Sequence, residues 1–82
     1  MSKNLKAEFD EILKKVKNKE VDKTPGVLDK LKLYAWYKQA LIGDVKGEAP
    51  DDMTEKMKFE AWSKVKGMSK EDAMKNYIKY FS

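Results

Sequence analysis

Apolar residues recur at helical spacing in four separate stretches of this 82-residue chain, and no stretch shows the alternation of a strand. Leu5, Phe9, Ile12, Leu13 and Val16 fall on one face, with mostly Lys and Glu between them, which predicts a first helix from about Ser2 or Lys3 to Asn18. "KEVDKTPG" breaks that pattern. Pro25 suits the first turn of a second helix with Thr24 as N-cap, and the helix should run to Ile42 and stop at Gly43. "GDVKGEAPDD" is loop, long enough for the next helix to start in the same direction. A third helix begins near Asp52, carries Met53, Met57, Ala61, Trp62 and Val65, and ends at "KGMS" with Gly67 as its terminating glycine. Ser69 caps a fourth, with Asp72 three residues on, and Ala73, Met74, Tyr77, Ile78 and Phe81 form its apolar face. The fold class implied is all-α, a four-helix bundle in one domain over residues 1–82.

Composition narrows the chemistry. Without cysteine or histidine the chain has no disulfide, no thiolate metal site and no Ser-His or Cys-His nucleophilic pair. Its carboxylates are scattered among lysines on solvated faces, so an enzyme is disfavoured and no metal or cofactor is expected. The net charge is +4 and every one of the 18 basic residues is lysine. That excess suits an anionic partner. The lack of arginine weighs against reading base edges in DNA, but lysine remains a good point-charge partner for phosphate. The amphipathic start is no secretory signal and no apolar run is long enough to cross a bilayer, so a cytoplasmic location is expected.

"LYAWYKQALIGD" poses the functional question. Val27, Leu31, Tyr34, Lys38 and Leu41 share one strip of the second helix, Leu28, Ala35 and Ile42 extend it, and Lys32, Gln39 and Asp29 form only a narrow polar edge. Tyr34, Tyr37 and Lys38 stand at i, i+3 and i+4, on one region of the surface. One reading has Lys38 laying its methylenes on the core and lifting its ammonium into water. The other makes this strip the wall of a pocket, with tyrosines as flat surface and hydroxyl donors and Lys38 as a phosphate ligand. Lys58 and Trp62, also at i, i+4, and Tyr77 near the chain end are weaker elements of the same kind.

Two motifs go further. Tyr-Ala-x-Tyr-Lys-Gln-Ala-x-x-Gly-Asp, at Tyr34 to Asp44, and Trp-x-x-x-x-Gly-x-Ser-Lys-Glu-Asp-Ala-Met, at Trp62 to Met74, resemble the acyl-CoA-binding protein family, and Pro25 stands nine residues before Tyr34 as the family pattern has it. The likeness runs from "AEFDEILKKVK" to Tyr77 and Ile78. It implies up-down-down-up helices, no catalysis, and a monomeric carrier of medium- and long-chain fatty acyl-CoA that has at most transient contact with membrane surfaces and none with nucleic acid. Matched by position, Lys17 falls on a lysine at the nucleotide end, Tyr34 and Lys38 on contacts to the ribose 3′-phosphate, and Tyr37 on the aromatic against adenine. Lys58 falls on a phosphate lysine and Tyr77 on a tyrosine that closes the site. Leu13, Val27, Leu28, Leu31 and Met53 are candidates for the acyl groove.

The chain departs from the family at Phe59, where a second tryptophan is usual, at Leu41, where a small or hydroxylated residue is usual and a leucine would crowd the groove, and at Lys30, where an apolar residue near the acyl chain is common. Two other classes compete: a basic helical module binding nucleic acid or an acidic protein, and an interaction bundle using Trp36, Leu33 and Ala40 as an exposed apolar patch.

Overall fold

The computed structural model describes residues 4–81, and within them the chain forms four helices: α1 Leu5–Lys17, α2 Val27–Leu41, α3 Met53–Ser63 and α4 Lys70–Tyr80. Three begin with a side-chain cap. Asn4 accepts from the Lys6 N–H at 2.8 Å, Asp52 from Glu55 at 3.0 Å, and Ser69 from Asp72 at 3.0 Å, each relieving one of the unpartnered first-turn donors. The expected start of the first helix at Ser2 or Lys3 lies outside the described residues.

The start of α2 differs from expectation. Thr24 is not its cap and Pro25 is not its first residue; Gly26 is the N-cap, extended at φ −75°, ψ −179°, and makes no side-chain bond. Glycine loses the most freedom on becoming helical, and Pro25 instead lines a cavity with Tyr34 and Tyr37. At the other end Gly43 terminates α2 as expected, with φ +105° and its N–H on the Lys38 carbonyl at 3.3 Å. α3 stops at Ser63, before the expected "KGMS". Successive i to i+3 bonds from Val65 and Lys66 carry the chain to Gly67, where φ is +92°.

Side-chain pairs give the helix directions. Tyr34 of α2 stands level with Lys58 of α3, and nearer the ends of both helices Lys38 meets Trp62, so α2 and α3 run parallel. Asp29 meets Tyr80 while Gln39 meets Met68, so α4 runs against α2. Phe9 meets the Tyr77 ring, and Val16 shares a cavity wall with Phe81, so α1 runs with α4. This is the up-down-down-up order.

The core is Phe9, Leu33, Ala40, Ala73, Met74 and Tyr77, with Ile12, Leu13, Trp36 and Ile78 packed around it. It does not cover everything. The Cα extents are 44 × 25 × 15 Å and the radius of gyration is 13.1 Å, against about 11.7 Å for a compact chain of this length. The bundle is thus flattened. Val27 and Leu28 at the start of α2 are 71% and 73% exposed, and Met53 at the start of α3 is 74% exposed. Because the two helices are parallel, these bare apolar residues lie at one end of the pair.

Candidate ligand site

The site begins with one ring. The Lys38 ammonium lies 5.7 Å from the centroid of Tyr34 and 5.9 Å from the Trp62 ring; the Lys58 ammonium lies 5.6 Å from the same Tyr34 centroid. Two cations from two helices thus stand against one tyrosine. Lys58 is tethered at 3.4 Å to Glu55. Among the described residues Lys38 has no carboxylate partner. Cation–π contact at a partly exposed site contributes only about 0.5–1 kcal/mol, so the ring offsets little of the two positive charges.

Behind that ring, Tyr34, Tyr37 and Tyr77 line one cavity of about 300 Å³ together with Val16, Pro25 and Lys30. Tyr77 is buried, its ring edge-on to Phe9 at 5.4 Å. Burial, and then the neighbouring Tyr37, pushes its hydroxyl above the usual phenol value, so it stays a neutral donor. Lys17 is exposed on the last turn of α1, next to the cavity residue Val16, and itself lines neither this cavity nor the larger one.

A second cavity, about 650 Å³, opens between α2 and α3. Of the five groove candidates, Leu28 and Leu31 line it. Val27 and Met53 stand bare at the adjoining helix starts, and Leu13 packs against the core instead. Sequence reasoning missed Ala35, Trp36, Met57, Ala61 and Val65, which complete the apolar wall. All five were legible as apolar positions of their helices, but not as facing one another. Leu41 is exposed and lines neither cavity. The apolar patch of Trp36, Leu33 and Ala40 does not form: Leu33 and Ala40 are buried, and Trp36 turns toward the larger cavity.

A third feature overturns the polar edge drawn for α2. Gln39 is only 1% exposed. Its amide donates to Asp44 Oδ1 and to the Met68 carbonyl, both at 2.8 Å, and its oxygen accepts from the Trp62 indole at 3.1 Å. The indole also donates to the Gly43 carbonyl at 2.8 Å, and Asp44 Oδ1 accepts from Gly67 N–H at 2.8 Å. This network ties the ends of α2 and α3 to the start of α4, and it explains the Gln, Gly, Asp and Trp of the two motifs as structural residues.

The Gly67 N–H first, then the Gln39 amide, hold the Asp44 carboxyl below its ordinary value; burial opposes this, and Lys66 and then Lys46 lower it further. A depressed folded-state pKa gives stability that is fully present above the unfolded value, about 3.9, and lost as pH falls through the folded value. Thermal unfolding of Asp44→Asn between pH 2 and 7 should therefore show a shallower acid decline than the wild type. An identical decline would mean that the network does not depend on the carboxylate's charge.

The acyl-CoA binding protein family model matches residues 6–81. The chain belongs to the acyl-CoA-binding protein family. This is a family of non-catalytic binding proteins. The acyl-CoA-binding protein of Gossypium hirsutum is 46% identical over 76 residues, which is 90% of this chain and 83% of the relative. The crystal structure of Oryza sativa acyl-CoA-binding protein 2 superimposes with a TM-score of 0.82 at 40% identity, covering 93% of this chain and 84% of that one. That of Moniliophthora perniciosa ACBP gives 0.79 at 36% identity, covering 96% and 76%. The four-helix fold is the family's. No helix among the described residues is long and apolar enough to cross a membrane.

Proposed function

We propose that this chain binds medium- and long-chain fatty acyl-CoA thioesters through a single domain, and serves as a monomeric, cytoplasmic carrier and pool former that touches membrane surfaces only transiently. The observation that carries the reading is the Tyr34 ring with the Lys38 and Lys58 ammonium groups against it, set between a tyrosine-lined cavity and an apolar cleft. The names of the relatives agree with it.

Each part has a task that its chemistry suits. Lys38 and Lys58 take the ligand's phosphates, and Lys17 adds charge from α1. Tyr34, Tyr37 and Tyr77 give the adenine flat surface and hydroxyl partners. From Tyr34 the strip continues one turn to Leu31, and from Lys58 it passes to Met57; both lead into the 650 Å³ cleft, where the acyl chain leaves water. Each methylene buried there contributes about 0.8 kcal/mol. Leu28, Leu31 and Met57 line its course, with Val27 and Met53 at the open end.

Titration calorimetry with palmitoyl-CoA and with free CoA tests this. The thioester should bind at least about tenfold more tightly, a difference of about 1.4 kcal/mol. Equal, weak binding of both would sink the proposal, and binding that falls steeply with salt but ignores the acyl chain would point to a general polyanion module instead.

A further inference from the structure

Lys30 is the one lysine on the wall of the tyrosine cavity. It stands one turn before Tyr34 as Lys38 stands one turn after, so the two flank that tyrosine along α2. Its side chain is exposed, and among the described residues it has no ion-pair partner. Its neighbour Asp29 is engaged elsewhere, accepting from the Tyr80 hydroxyl at 2.9 Å. An ammonium placed at the rim of an aromatic cavity, with no acid of its own, repels the cations already gathered at Tyr34. An anion at the cavity mouth reverses the sign of that interaction.

Resting on the acyl-CoA reading, we infer that Lys30 is a further phosphate-binding residue of this chain. It meets the ligand's phosphates from the side of Tyr34 opposite Lys38 along α2. A phosphate monoester carries a charge of about −1.5 to −2 near neutral pH, more than one lysine offsets, so an additional cation at this rim has charge to meet. The competing reading is that the ammonium is simply solvated while its methylenes cover the cavity wall.

The discriminating variant is Lys30→Met, which keeps an unbranched apolar stem and removes the charge, with Lys30→Arg as the charge-retaining partner. Because Lys30 is exposed and unpaired, both should melt with the wild type. In calorimetry against palmitoyl-CoA at low ionic strength, Lys30→Met should bind about fivefold more weakly, the upper range for an exposed ion pair. That gap should close as salt is raised, and Lys30→Arg should stay near wild type. Repeating the titration with palmitoyl-dephospho-CoA assigns the contact: a gap that vanishes places Lys30 on the 3′-phosphate, and one that persists places it on the pyrophosphate. Equal or tighter binding by Lys30→Met, in a wild type that binds well, overturns this inference alone. A wild type that does not distinguish palmitoyl-CoA from CoA overturns the carrier reading and this inference with it.

Discussion

Gln39→Ala should lower the stability of the fold by about 2–4 kcal/mol, although Gln39 touches neither cavity. The side chain is 1% exposed and makes three hydrogen bonds, to Asp44, Met68 and Trp62. A typical neutral hydrogen bond contributes about 0.5–1.5 kcal/mol and one to a charged group about 1.5–3 kcal/mol. The truncation also leaves a void at the junction of three helices. Two features limit the loss. The Trp62 indole keeps its bond to the Gly43 carbonyl, and Asp44 keeps that from Gly67. Single domains have about 0.05–0.15 kcal/mol of stability per residue, so the variant should forfeit a large part of what an 82-residue chain has. Urea unfolding checks this, with the midpoint falling and the m-value unchanged. Gln39→Glu is the sharper control. It preserves shape but sets a second carboxylate against Asp44, so its deficit at neutral pH should shrink on mild acidification. A loss under about 1 kcal/mol for Gln39→Ala would show that the junction is held by packing alone.

Gln39 also shows where sequence reasoning runs out. On the wheel of α2 it falls beside Lys32 and reads as solvated edge. Its partners belong to the following loop, to α3 and to the turn before α4, and no spacing within one helix brings them together. What was legible is what is local. Ser69 with Asp72, and Gly43, follow from short-range backbone chemistry and stand where expected. Thr24 and Pro25 misled because the extended Gly26 delays the helix. The same division runs through the site. Tyr34, Tyr37 and Lys38 had to share a surface because helical geometry leaves no alternative. Lys58 and Tyr77 were only weak elements before the family resemblance gave them roles, since only the parallel docking of α3 and the packing of α4 bring them near Tyr34 and Tyr37. Leu13, on the α1 stripe, shows how little an apolar spacing says about role: it packs partly buried against the core and lines neither cavity.

Lys38→Ala should weaken palmitoyl-CoA binding by about 1.5–3 kcal/mol, the range for a hydrogen bond to a charged group, or roughly 10- to 150-fold. Stability should barely change, because Lys38 has no carboxylate partner to abandon among the described residues and its aromatic contacts, at 5.7 and 5.9 Å, are long. That separation of binding from folding distinguishes a ligand lysine from one that merely covers the core with its stem; loss of a covering stem would lower the melting temperature and leave affinity alone. Lys58→Ala should lose less affinity than Lys38→Ala, because the Lys58 ammonium is already shared with Glu55 at 3.4 Å and must give up part of that pairing to bind phosphate. Glu55→Gln should accordingly tighten binding slightly through Lys58. Since both ammonium groups stand against the Tyr34 ring, the double variant should fall short of the sum of the single losses if they share one phosphate, and match it if each holds its own.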